Sequence, residues 1–244
     1  MNSDYTGKDL IIATGAPGSQ WSGQLRILTS NININRSDET EARLYDHIAI
    51  HPKTGKPVAR GWHRGAYWGP DHELGHTFDR LDLMSKEQVI TEFKKAFSNW
   101  EPGVKIIKSH WFAYHLPLLK EMFPDAKFIA VYRTNEECFD WWHVCGGWDI
   151  SYPHYTWYKD DNGMRTQIAI ENKHILDFFK DLKKFTLDEL FLELGLRLDT
   201  LTLEEFLELD PKLYDVFKTI WRSNTGDYKL ALNTIIGRNF MGIC

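Results

Sequence analysis

Cysteine is scarce. The 244 residues hold only Cys138, Cys145 and Cys244, an odd number without the spacing of a metal site. That excludes a disulfide-stapled scaffold and reads as free thiols in a reducing compartment. Long apolar runs are missing too: none approaches the roughly 20 residues of a membrane span. The opening MNSDYTGKDL is polar and has no signal-peptide pattern, so a cytoplasmic protein is expected. Positive charge is in deficit, with a net charge of −5. This argues against wholesale nucleic-acid binding and leaves room for a local basic pocket that takes a small anion. Internal repeats and low-complexity linkers are absent. Hydrophobic residues make up 43% and aromatics 14% of the chain, which suits one domain over residues 1–244 with a sizeable core.

One more absence sets the functional question. LIIATGAPGSQWSG (Leu10–Gly23) has the layout of a phosphate-cradling loop: an apolar strand, a glycine-rich turn, then a helix-like segment. The lysine and adjoining hydroxyl of G-x-x-x-x-G-K-[ST] are not there. Backbone N–H groups at such a turn still point outward, and a following helix adds partial positive charge. Gly15 and Gly18 permit close approach of a ligand, and Ser19 and Ser22 offer hydroxyl donors.

Along the chain, Asp9–Thr14 reads as a buried strand and Ser19–Thr29 as a helix with Trp21, Leu25 and Leu28 on one face. The stretch from His47 to Phe78 is rich in Gly, Pro, His, Trp and Arg and reads as a long loop region. Ser85 is placed to cap a helix reaching toward Trp100, with Val89, Phe93 and Phe97 at helical spacing. Val104–His110 and Ala126–Arg133 are further strands, with a helix between them ending near Pro124 and another after Arg133. Beyond Gln167 the chain is mostly helical, giving extra C-terminal helices. Strands alternating with helices predict an α/β fold, a central parallel sheet flanked by helices.

Four of these stretches together resemble the sulfotransferases that use 3′-phosphoadenosine 5′-phosphosulfate (PAPS), in their cytosolic branch. The loop GAPGSQW is similar to that family's P-K-S-G-T-T-W: Gly18 and Trp21 match, Ser19 and Gln20 fall on the two threonines, and Ala16 falls on the lysine. Lys108-Ser109-His110 resembles the family's K-T-H. Arg133, at the end of AKFIAVYR, takes the place of an arginine that grips the nucleotide's 3′-phosphate, with Trp141 where the family has a serine. Arg222–Lys229 resembles the late loop R-K-G-x-x-G-D-W-K, one residue short. The resemblance implies a P-loop-like three-layer fold and transfer of a sulfuryl group from PAPS to a hydroxyl or amine, leaving 3′-phosphoadenosine 5′-phosphate (PAP), without a metal.

It also implies roles. His110 is the base that takes the acceptor's proton, and a group titrating near neutrality suits that. Lys108 stabilises the sulfuryl group and the departing phosphate. Gly15, Ala16, Pro17, Gly18, Ser19, Gln20, Trp21 and Ser22 hold the 5′-phosphosulfate. Arg133 and the Trp141 position serve the 3′-phosphate, and Arg222, Gly226 and Lys229 close over the nucleotide. Apart from the resemblance, the aromatic residues Trp62, His63, Tyr67, Trp68, Trp142 and His143, with Trp148 completing the wall, read as the lining for a small-molecule acceptor, aromatic or carbohydrate, and equally as core.

Rival readings exist. HELGH (His72–His76) fits H-E-x-x-H, which on a helix gives two zinc ligands, His72 and His76, with Glu73 as base and Glu92 as a third ligand. Pro70 and Asp71 just before it suggest a helix start rather than the interior such a motif occupies. A small-molecule P-loop kinase lacks its G-K-[ST] and a magnesium-binding aspartate. A degenerate nucleotide-binding protein would fit the departures at Ala16 and Trp141, but Lys108 and His110 argue for retained chemistry.

Overall fold

The computed structural model describes residues 4–21, 25, 28–29, 33–43, 45–50, 57–63, 66–69, 78–144, 147–149, 157–179 and 240–243. The strands are β1 (Leu10–Gly15), β2 (Tyr45–Ile50), β3 (Pro57–His63), β4 (Tyr67–Trp68), β5 (Lys105–Ser109), β6 (Lys127–Val131) and β7 (Phe240–Ile243). The helices are α1 (Lys86–Lys95), α2 (Phe112–Met122), α3 (Asn135–Val144) and α4 (Asp161–Phe178). One sheet runs in the order β4-β5-β1-β6-β7, and β2 and β3 form a separate antiparallel pair. Strands β4, β5, β1 and β6 are parallel, and β7 joins β6 antiparallel. This is an α/β arrangement, as the alternation of strands and helices predicts.

The central strands are where continuous apolar runs place them. All six residues of β1 and all five of β5 are buried, as expected for strands covered on both faces. Ser85 caps α1 as expected, in a reciprocal box: Gln88 N–H donates to Ser85 Oγ at 3.3 Å and Ser85 N–H to Gln88 Oε1 at 2.7 Å. The main core joins Leu10 and Ile12 of β1 to Val89, Ile90 and Phe93 of α1, and to Phe112, Leu116 and Leu119 of α2. A second cluster packs Cys138, Phe139 and Trp142 of α3 against Met164 and Ile168 of α4.

The stretch from His47 to Phe78, expected as a loop region, instead carries β-structure. It completes β2, supplies β3, and contributes β4 to the main sheet. Its glycines and prolines hid this, and β4 is only two residues long, too short for any periodicity to register. The helix expected from Ser19 takes helical form at Trp21, because φ is positive at Gly18 (75°) and Gln20 (67°).

At the amino end of β5, Lys105 Nζ meets Asp38 Oδ1 at 2.7 Å with both side chains buried. The ammonium also lies 4.3 Å from the Phe97 ring centre and 5.6 Å from that of Trp100. The carboxylate accepts a further bond from Glu101 N–H at 2.8 Å. The pair is thus fully partnered, the condition for keeping buried charge. No helix among the described residues is long and apolar enough to cross a membrane.

Candidate functional site

Strands β1 and β5 are neighbours, and beyond their carboxyl ends the chain departs in opposite directions. From β1 it travels to the β4–β5 side, and from β5 it crosses by α2 to β6. In open α/β sheets such a point leaves a crevice where ligands bind. The Gly15–Trp21 loop and His110 flank this point.

The loop is built by its small residues. Ser19 N–H donates to Ala16 O at 3.0 Å, closing a turn with Pro17 second and Gly18 third, the chemistry of a type II turn. A side chain at Gly18 would place its Cβ 1.8 Å from Cys138 O on α3. One at Gly15 would fall 2.5 Å from Trp21 Cβ. Positive φ at Gly18 and Gln20 alternates with Pro17, Ser19 and Trp21, which lack it. Such alternation turns successive N–H groups toward one side, as in anion-binding nests. Ser19 Oγ is buried with no hydrogen-bond partner among the described residues, a donor left unspent.

His110 follows β5 directly and is buried. Its Nδ1 lies 3.0 Å from Gly15 O. A carbonyl only accepts, so Nδ1 carries a proton, and in the neutral ring Nε2 is then the nitrogen with the lone pair. Thr14 Oγ1 donates to His110 O at 3.4 Å, tying the same residue to β1 a second time. The Trp21 ring meets the imidazole edge-to-face, centroids 4.6 Å apart, and Tyr67 packs on Trp21 at 5.9 Å.

Lys108 is wholly buried, paired in register with Ala13 of β1 and Tyr67 of β4. Its charge reaches Glu39, whose carboxyl burial pushes up while Arg36, Lys108 and Lys105 pull it down, the net direction being upward. Arg133 lies just past the carboxyl end of β6, on the other side of β1. Its carbonyl accepts from Asn172 Nδ2 at 2.9 Å, and its guanidinium centre stands 5.7 Å from the Trp141 ring centre. Nη1 of Arg133 is buried without a hydrogen-bond partner among the described residues. Ser19 and Arg133 therefore present unspent donors at neighbouring strand ends, which suits the oxygens of a phosphorylated ligand.

The aromatic residues expected against an acceptor fall in different places. Tyr67 sits on Trp21 beside His110. Trp68 belongs to the main core, 5.4 Å from Phe78 and 5.7 Å from Phe93. Trp142 is buried in the second cluster, 5.0 Å from the ring of the part-exposed Trp148. His143 is exposed, 3.7 Å from Asp161. Trp62 and His63 lie on β3, opposite Asp46 and Tyr45. Ser22, Arg222, Gly226 and Lys229 lie outside the described residues, as do His72, Glu73 and His76. Glu92, the rival third zinc ligand, pairs with Arg43 at 2.9 Å and with Lys95.

Sequence reading missed the contribution of α4. Its buried face runs Met164, Gln167, Ile168, Glu171, Asn172, Ile175, so three polar side chains occupy core-facing positions. Gln167 Nε2 donates to Glu171 Oε1 at 2.7 Å and also to the Tyr114 hydroxyl of α2. Glu171 Oε2 lies 3.7 Å from His110 Nδ1. The available signal was polarity at core positions of a helical pattern. Compared with family models, curated proteins and solved structures, the chain finds no match.

Proposed function

We propose that the protein is a PAPS-dependent sulfotransferase acting on a hydroxyl or amine of a small molecule. The observation that carries this reading is the meeting of the glycine loop and His110: Gly15 O and His110 Nδ1 are 3.0 Å apart at adjoining parallel strand ends. The order β4-β5-β1-β6, counted along the chain as second, third, first and fourth, fits the P-loop-like arrangement the resemblance implies. The unspent donors of Ser19 and Arg133 fit a donor molecule with one phosphate group near the loop and another near β6.

Bound PAPS supplies the sulfuryl group and leaves as PAP. The chain's own residues do the rest. Backbone N–H groups of the Gly15–Trp21 loop, apart from Pro17, which has none, and Ser19, whose N–H bonds Ala16 O, hold the phosphosulfate end with the Ser19 hydroxyl, and Arg133 the 3′-phosphate. His110 Nε2 takes the acceptor's proton, its tautomer fixed by the Gly15 carbonyl. Lys108 contributes positive charge from within β5, where Ala16 in the loop contributes none. Trp21 and Tyr67 exclude water beside the imidazole.

Calorimetric titration with PAP tests the reading. Micromolar or tighter binding is expected, and no binding at high micromolar PAP refutes it. In a transfer assay, His110→Ala is expected to lower kcat by about 10²–10⁴-fold with the fold intact. Full retained activity would remove His110 as the base.

A further inference from the structure

Of the polar residues on the buried face of α4, one faces the imidazole. Glu171 is 2% exposed. Its Oε1 is occupied by Gln167, which Tyr114 holds in turn. Its Oε2 is buried without a hydrogen-bond partner and lies 3.7 Å from His110 Nδ1. A buried carboxylate oxygen without a donor is costly, so its place beside an N–H-bearing ring atom calls for a reason.

We propose that Glu171 is a positioning residue for His110. The Gly15 carbonyl accepts the Nδ1–H at 3.0 Å, and the Glu171 carboxyl, 3.7 Å from Nδ1 and beyond hydrogen-bond distance, favours that same tautomer electrostatically and leaves Nε2 as the nitrogen that accepts a proton. For its catalytic meaning this rests on the reading of His110 as base; the geometry itself does not depend on the acceptor. The groups around the ring are few among the described residues. From β1 come the Gly15 carbonyl and the Thr14 hydroxyl, and from the loop the Trp21 ring. Tyr114 belongs to α2, Gln167 and Glu171 to α4, and Lys108 precedes His110 by two residues on β5. Burial, and then the Glu171 charge, push the Tyr114 phenol up, so it stays a neutral hydroxyl at working pH. Glu171 is therefore the acidic side chain that faces the ring. When Nε2 takes a proton, the positive charge that results meets a carboxylate already in place, with no reorganisation needed.

Nitrogen-15 imidazole spectra of histidine-labelled protein test this, with the His110 signals identified by their loss in His110→Ala. The wild type is expected to show the Nδ1–H tautomer and a slowly exchanging Nδ1 proton. Glu171→Gln keeps the side chain's size but removes its charge. It is expected to speed that exchange about tenfold or more, the loss of one charge-assisted interaction. Glu171→Asp should fall between the two. An Nε2–H tautomer in the wild type, or unchanged exchange in Glu171→Gln, overturns the proposal. Should Glu171→Gln not fold, the wild-type tautomer and the Glu171→Asp exchange rate decide by the same criteria. Glu171→Gln is also expected to keep PAP affinity within about threefold while kcat falls; a tenfold loss of PAP affinity with kcat unchanged overturns the positioning role. Failure of the wild type to bind PAP refutes sulfuryl transfer and leaves the tautomer result standing, so the two failures are separable.

Discussion

Gly18→Ala tests whether the loop is held by a contact that only glycine permits. The added Cβ would lie 1.8 Å from Cys138 O and 2.7 Å from its carbonyl carbon, whereas ordinary contact begins near 3.4 Å. Loop and α3 must therefore part by about 1.6 Å, and because the opposing atoms are backbone, no rotamer change relieves it. The φ of 75° adds about 1–2 kcal/mol for any residue with a Cβ. With overpacking of about 1–3 kcal/mol, the variant should lose about 3 kcal/mol, which for a chain of this size lowers Tm by about 6–12 °C. Scanning calorimetry at one heating rate measures it. Gly18→Asn separates the causes, since asparagine tolerates positive φ but still meets the carbonyl. A Tm within about 2 °C of wild type for Gly18→Ala, or full recovery in Gly18→Asn, would refute the contact as the constraint. PAP affinity should fall along with stability, because the same shift displaces the N–H groups of the loop.

Three further outcomes are expected. Burial pushes the Asp38 carboxyl up, but hydrogen bonds from Lys105 and backbone N–H groups, with the Lys105 charge, hold it net below the usual range. Its stabilisation is then complete above the unfolded carboxylate value of about 3.9 and lost as pH falls through the lower folded value. Asp38→Asn should be less stable than wild type at pH 7 and converge on it in acid, read as Tm against pH; a constant gap would contradict this. Burial pushes the Cys138 thiol up to about 12, so iodoacetamide should label Cys138 only as fast as the protein opens, and rapid native labelling counts against that burial. Arg133→Ala should weaken PAP by about ten- to a hundredfold, while a nucleotide lacking the 3′-phosphate binds as before; equal losses for both would unseat Arg133 from that role.

Much of the scaffold was legible in the sequence because its central strands are short, have apolar centres and end in chemistry. Leu10–Gly15, Lys105–Ser109 and Lys127–Val131 each fall within a residue or two of where apolar runs place them. Ser85 announced its helix by its capping chemistry and the helical spacing of Val89 and Phe93 after it. Strand order was not legible, since β1 sits between β5 and β6 through pairings about a hundred residues apart. For the candidate site, the loop and His110 could be named separately, but their 3.0 Å approach follows from register alone. Glu171 was hidden for another reason. A glutamate in a helix is ordinarily a solvated residue, and only its helical spacing with Met164, Ile168 and Ile175 signals the burial that the packing of α4 on α2 produces.

The antiparallel pairing of β7 with β6 has a consequence for biosynthesis. Phe240 pairs with Val131, so during translation the outer edge of β6 is complete more than a hundred residues before its partner emerges. At about 5–20 residues per second that edge stays open for about 5–20 seconds. It is an apolar edge, Phe128 to Val131, of the kind that recruits other nascent strands. Slowing synthesis between the codons for Val131 and Phe240 should therefore lengthen the interval in which this chain is prone to aggregate, whereas slowing it before Lys127 should not.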